Sequence, residues 1–169
     1  MMKKIMVLCL ACLLVMGMAA CGEPAENNDN TAAVNTAPAD IYAQLKDKVT
    51  QPEMLELDES LMLDYCGIRK EDVQQAVVAI CADSLRTDEI WILNATDKAA
   101  ADKLIDLAEK RLKKKGEESI TYSPEQYAVV EKAQILQNGN YVILLVSPSV
   151  ADMANAVNTI TGATFQKVN

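Results

Sequence analysis

The sequence predicts an α+β domain, a four-stranded and mostly antiparallel sheet of two hairpins with helices packed on it, preceded by two short helices. Three observations carry this reading. Residues 72–82 (DVQQAVVAICA) and 89–95 (EIWILNA) are rich in β-branched and apolar side chains and are separated by the polar DSLRTD, as expected of an antiparallel pair. Asn138-Gly139 sits between the strand-like runs 133–137 and 141–147, where a two-residue turn needs positive φ and glycine supplies it. Between the two pairs, residues 97–115 shift to helical spacing, with Ala101, Leu104, Ile105, Ala108 and Leu112 on one stripe.

Taken in chain order, residues 41–49 read as a short helix with Ile41, Leu45 and Val49 four apart. Asp58 can cap a second helix whose stripe is Leu61, Met62, Tyr65 and Cys66, and Gly67 followed by Ile68 suits a left-handed stop with an apolar contact behind it. The strand pair follows. Thr96 and Asp97 open the long helix and Gly116 is expected to end it. The basic run KRLKKK at 110–115 then complements the negative helix terminus and stays in water. In YSPEQY at 122–127, Ser123 is a cap, Pro124 fills the first turn, Gln126 completes a capping box and Tyr122 packs on Tyr127. The strand YVILLV is apolar on successive residues, which places it centrally with both faces covered. Pro148 opens a last helix with Val150, Met153, Ala154 and Val157 on one face.

Ahead of this lies a different kind of sequence. Lys3 and Lys4 lead into an apolar run from Ile5 to Val15, followed by the small residues Gly17, Ala19 and Ala20, the pattern of a secretory leader that is too short to span a membrane. Met18-Ala19-Ala20-Cys21 resembles a bacterial lipobox, departing from its usual pattern at Met18. The resemblance implies that Cys21 is diacylated and becomes the new first residue; the plainer alternative is an ordinary leader with an incidental cysteine. Residues 22–40 hold one large aliphatic, Val34, no aromatic residue, and the acids Glu23, Glu26, Asp29 and Asp40 without a base. Such a composition cannot offset the entropy of ordering. The expected organisation is therefore a leader over 1–20, a lipidated Cys21 with a flexible acidic tether over 21–39, and one domain over 40–169.

The chain has 16 basic and 24 acidic residues, and the leader removes only lysines, so the exported part is distinctly acidic. This balance opposes association with nucleic acid or anionic lipid through the surface as a whole. Between Lys48 and Arg69 the acids Glu53, Glu56, Asp58, Glu59 and Asp64 lack the glycine and alternating oxygen ligands of a calcium loop, and read as a solvated face and helix-start charge.

The search for chemistry yields little. There is no histidine, hence no ordinary proton shuttle near neutral pH and no imidazole ligand. No GxSxG elbow, CxxC pair or glycine-rich phosphate loop occurs. Cys9 and Cys12 leave with the leader. Cys66 and Cys81 could form a disulfide in an exported protein, but their places on a helix stripe and a strand favour buried thiols. The adjacent acids Asp88 and Glu89, or Glu117 and Glu118, would point to opposite faces of a strand and are poor candidates for acid–base work. No catalytic, cofactor-binding or metal-ligating residue is assigned, and lipid attachment at Cys21 is the one expected site.

The segments MLELDESLMLDYCGI, EDVQQAVVAI, DEIWILNAT, AEKRLKKK, YSPEQYAVVEKAQI and GNYVILLVS, in this order, resemble the family known as domain of unknown function 4358, found in lipoproteins of clostridia and related Firmicutes. The resemblance covers about residues 40–147. It implies an extracytoplasmic lipoprotein of a single-membrane bacterium and brings no activity, cofactor or catalytic residue. Two function classes remain. The leading one is a non-catalytic interaction module on the outer face of the cytoplasmic membrane, anchored by acyl chains on Cys21 and meeting an envelope protein partner rather than nucleic acid. The alternative is an envelope hydrolase whose carboxylate or serine chemistry is assembled by the fold without a motif. A two-lobed solute-binding protein needs more chain than this.

Overall fold

A computed structural model describes residues 32–168; Cys21, the leader and tether residues 22–31 lie outside them. In chain order the elements are α1 (Pro38–Lys48), β1 (Met54–Glu56), α2 (Glu59–Cys66), a 3-10 turn (Lys70–Asp72), β2 (Val73–Cys81), β3 (Glu89–Ala95), α3 (Lys98–Tyr122), α4 (Pro124–Glu131), β4 (Gln134–Asn138), β5 (Tyr141–Val146), α5 (Val150–Thr161) and β6 (Gln166–Val168). The strands form one antiparallel sheet in the order β1-β2-β3-β5-β4-β6.

The mixed α and β character and both hairpins agree with the sequence reading; the strand count does not. Six strands replace the expected four, because β1 and β6 add three residues to each edge. Neither is long enough to display alternation, and each is held by backbone pairing to a longer neighbour.

The alternation of β3 and β5 sends side chains to both faces of the sheet. Trp91, Leu93, Val142, Leu144 and Val146 meet α2, α3 and α4 on one side, while Ile90, Ile92, Ile143 and Leu145 meet α1 and α5 on the other. All six residues of β5 are buried, as its unbroken apolar run requires. Fully burying one such aliphatic side chain contributes about 1.5–3 kcal/mol, so the two central strands anchor the domain.

Asp58 accepts from the Leu61 N–H and Gly67 adopts φ 72° with Ile68 buried behind it, as the sequence indicated. Only Met62 and Cys66 of the expected α2 stripe are buried, however, and Leu61 and Tyr65 face outward. α3 does not stop at Gly116 but runs on to Tyr122. Glycine inside a helix costs only about 1 kcal/mol relative to alanine, and here Gly116 faces Tyr127 and Val130 of α4, which a Cβ would meet at ordinary contact distance. The helix ends instead where Ser123 and Pro124 begin α4.

The second hairpin is shifted by one residue from the expected turn. Asn138 pairs with Tyr141, so Gly139 and Asn140 form the turn. Asn138 lies in the strand because its side chain is occupied, donating from Nδ2 to the carbonyls of Thr164 at 2.9 Å and Ala32 at 3.3 Å. Gly139 has φ 55°, and a Cβ there would meet nothing within 4 Å. Gly139→Val therefore tests backbone strain without a clash, and its expected cost is about 1–3 kcal/mol. An unchanged melting midpoint would show that the turn relaxes freely.

The described end of the expected tether is bound to the domain. Val34 packs on the α1–α5 side of the core, and the Thr36 carbonyl accepts from the Tyr141 hydroxyl at 3.0 Å. Pro38 and Ala39, assigned to the tether by the sequence, begin α1. Residues 32–37 thus meet the domain beside Asn138 and Tyr141, at the end of β3 opposite Glu89, roughly 20 Å away along a seven-residue strand.

Candidate functional site

Glu89 opens β3 on the same face as Trp91, Leu93 and Ala95, so the pleat directs a carboxylate into the core beneath α3. α3 answers it. Its buried stripe passes Leu104 and Ala108 and continues at the same spacing to Arg111 and Lys115, one turn apart on the face that covers Glu89.

The Glu89 carboxylate is fully buried and fully engaged. Oε1 accepts from Trp91 Nε1 at 2.7 Å and from Arg111 Nε at 2.9 Å, and Oε2 accepts from Arg111 Nη2 at 2.9 Å and lies 2.8 Å from Lys115 Nζ. Burial alone would raise the pKa of this acid, but the Arg111 hydrogen bonds and the Lys115 and Arg111 charges outweigh it and hold Glu89 below the ordinary glutamate value. Burial likewise works against the Arg111 charge, and the bonds and charge of Glu89 reverse this and raise its pKa. The nearby Cys66 thiol is pushed up to about 12, by burial first and by Glu89 second, so it is neither ionised nor nucleophilic at neutral pH.

α3 extends past the sheet here. At 1.5 Å per residue its 25 residues span roughly 37 Å, well beyond the length of β3. Its last turns, the start of α4 and the β2–β3 loop enclose a cleft of about 570 Å³ with Lys115 among its lining residues. Thr87 ties the walls together: its N–H donates to Gln126 Oε1 at 2.9 Å, its hydroxyl to the same oxygen at 3.0 Å, and its carbonyl accepts from Lys115 Nζ at 3.1 Å. Arg86 donates from Nε to Asp88 Oδ2 at 3.0 Å. Leu85 and Tyr122, at 82% and 86% exposed, stand among the cleft's lining residues on its loop wall and its helix wall.

These positions correct several expectations. KRLKKK does not lie at a helix terminus, and although Lys110, Lys113 and Lys114 are exposed, Arg111 and Lys115 turn inward. Gln126 bonds across to Thr87 rather than back to the Ser123 cap, and Tyr122 is too exposed to be half of a staple, whereas Ser123 does accept from the Gln126 N–H as expected. Glu117 and Glu118 are helical and exposed, each 3.9 Å from a lysine one turn earlier. Asp88 and Glu89 are both buried, and separate cations engage them. In the acidic stretch, Glu56 pairs with Lys46 and Glu59 with Lys70, beside the Asp58 cap. Cys66 and Cys81 are free thiols, the first buried and the second half-buried. Cys21 lies outside the described residues.

The sequence reading missed the cluster, although two signals pointed to it. Extending the α3 stripe by one turn reaches Arg111 and Lys115, and counting back along the core face of β3 reaches Glu89.

A family profile described as a domain of unknown function (DUF4358) matches residues 47–147, which include Glu89, Arg111, Lys115 and every lining residue of the cleft. No curated protein and no solved structure matches the chain.

Proposed function

We propose, for a chain that belongs to the DUF4358 family, that it works as a lipid-anchored binding module of the cell envelope. In this reading residues 1–20 direct export, acyl chains on Cys21 hold the protein at the outer face of the cytoplasmic membrane, and the cleft beside Lys115 receives an envelope partner. One observation carries the choice of binding over catalysis. Glu89, the buried carboxylate behind Lys115, is 0% exposed, has both oxygens taken up by Trp91, Arg111 and Lys115, and is held below the ordinary glutamate pKa by Arg111 and Lys115, whereas acid–base catalysis needs a group that reaches the substrate with a pKa near the working pH.

The geometry is consistent with a tethered module. Residues 32–37 dock at the Tyr141 end of the sheet and the cleft opens at the Glu89 end. An anchor upstream of Ala32 leaves the cleft on the side away from its attachment. Confinement at a surface also raises the effective concentration of a module near other membrane-held proteins, so weak contacts become occupied.

Cys21→Ser is the direct test. The variant is expected to lose its lipid mass, to leave the membrane fraction and to recover far less of any envelope protein in crosslinking from cells than the unaltered chain recovers. A mature protein without lipid mass would remove the anchor. Equal recovery by the untethered variant would remove the role of confinement, and turnover of a wall, peptide or ester substrate that disappears on changing one serine or carboxylate would replace binding with hydrolysis.

A further inference from the structure

We propose that the cleft binds the C-terminal end of a peptide, with its free carboxylate at Lys115 and its last side chain between Leu85 and Tyr122. This rests on the reading of the cleft as a binding site and adds the chemistry of what enters it.

Lys115 Nζ has three donors, of which Glu89 and the Thr87 carbonyl engage two. Arg86 uses Nε and Nη2 on Asp88, and the rest of its fork has no partner among the described residues. Gln126 accepts through Oε1 while its Nε2 has no partner there, and Ser123 accepts at Oγ from the Gln126 N–H, which leaves its O–H to donate. Four side chains around one cleft thus offer donors. Glu118 is the single carboxylate among the lining residues, and it is largely exposed and close to Lys114. A site rich in donors takes a ligand rich in acceptors.

Charge then narrows the ligand. Glu89 carries one negative charge against the two positive charges of Arg111 and Lys115, and both cations are largely buried, at 13% and 11% side-chain exposure. Arg86 is balanced by Asp88. With Glu118 set against Lys114 at 3.9 Å, the excess is a single positive charge that reaches the cleft through Lys115, which one carboxylate neutralises and a phosphate dianion would exceed.

The walls supply the remaining constraint. Leu85 and Tyr122 are the most exposed of the large hydrophobic side chains among the described residues, and they belong to the same cleft. They suit an apolar group next to the carboxylate. A space of about 570 Å³ exceeds what a carboxylate alone needs and falls within the range of sites for small ligands. The Ser123 and Gln126 donors, on the α4 side, suit the carbonyls of the preceding residues in an extended chain. A simple fatty acid would leave those donors unused.

The test is an NMR titration of the full-length chain in nonionic detergent with acetyl-Ala-Ala-Leu as the free acid, the same peptide as its C-terminal amide, and hexanoate. The free acid is expected to shift the amide signals of residues 84–87 and 123–126, and the amide to bind about tenfold more weakly or worse, the scale of one charge-assisted hydrogen bond. Lys115→Met should abolish the preference for the acid. Leu85→Ser and Tyr122→Ser alter exposed side chains that the fold does not need, and each should weaken the acid by about tenfold. Equal affinity for acid and amide would overturn the carboxylate assignment, and hexanoate binding as tightly as the peptide would replace a peptide end with an organic acid. No shift, or shifts elsewhere, would remove the cleft as the peptide site. If crosslinking captures an envelope protein at the cleft while these peptides fail, the ligand class falls and the binding-module reading stands.

Discussion

Glu89→Ala is expected to destabilise the domain by about 3–5 kcal/mol, the range found when one member of a buried ion pair is removed. The carboxylate is 0% exposed and accepts from three side chains. Its loss leaves two positive charges and the Trp91 N–H under α3 without their acceptor. Arg111 and Lys115 are only 13% and 11% exposed, so the little water that reaches them, for Lys115 through the cleft, replaces the lost carboxylate poorly. Urea denaturation followed by circular dichroism measures the loss, and a midpoint equal to that of the unaltered protein would show that the cluster relaxes into water.

The same carboxylate sets a pH dependence with a definite sign. Its folded pKa lies below the ordinary glutamate value of 4.5 that the unfolded chain has. The unfolded chain therefore takes up the proton first as pH falls. The stabilisation is complete above the unfolded value and is lost as pH descends through the folded one. In Glu89→Gln this acid contribution is absent, so the fall in stability below about pH 4.5 should be shallower than in the unaltered chain. Replacing Glu89, Arg111 and Lys115 together by apolar residues of similar size is expected to regain much of what Glu89→Ala loses, because no charge is left buried.

The parts of this architecture that were legible in the sequence are those written in local chemistry. The β-branched and apolar run EIWILNA, the unbroken YVILLV, the Asp58, Asp97 and Ser123 caps and the glycine after Cys66 each determine their own neighbourhood, and each is found in place. Features that depend on distant partners were not legible. β1 and β6 exist because β2 and β4 present open edges, and Gly116 stays helical because α4 folds back over it. Asn138 leaves the turn for the strand because carbonyls 106 and 26 residues away accept from its side chain.

The candidate site was hidden by a rule that usually holds. Charged residues in a run such as KRLKKK ordinarily face water, and for three of the four lysines they do. Arg111 and Lys115 break the rule because the helix period brings them over a strand position that carries an acid 22 and 26 residues earlier, and only the pairing of strand to helix reveals that register. YSPEQY shows the converse. Ser123 and Pro124 perform the local roles their spacing suggests, while Gln126 and Tyr122 are used by the cleft.

Trp91→Ala is the second large effect, expected to cost about 3–5 kcal/mol. The indole is the largest fully buried side chain in the domain. It projects from the middle of β3, between its partners Val78 and Leu144, into the core under α3. Truncation leaves a cavity in a layer fixed on both sides by regular structure, which is the situation in which neighbours collapse least. Two contributions can be separated. Trp91→Phe keeps most of the apolar volume and removes the N–H that donates to Glu89 Oε1 at 2.7 Å, and a hydrogen bond to a charged group contributes about 1.5–3 kcal/mol. If packing dominates, the phenylalanine variant recovers more than half of the stability lost in the alanine variant. If the bond to Glu89 dominates, the two variants lose similar amounts. A double-mutant cycle of Trp91→Phe with Glu89→Leu, which leaves no acceptor, isolates the bond, with an expected coupling of about 0.5–3 kcal/mol. A coupling of zero would mean that the indole serves the core alone, and that Arg111 and Lys115 by themselves hold Glu89 in its ionised state.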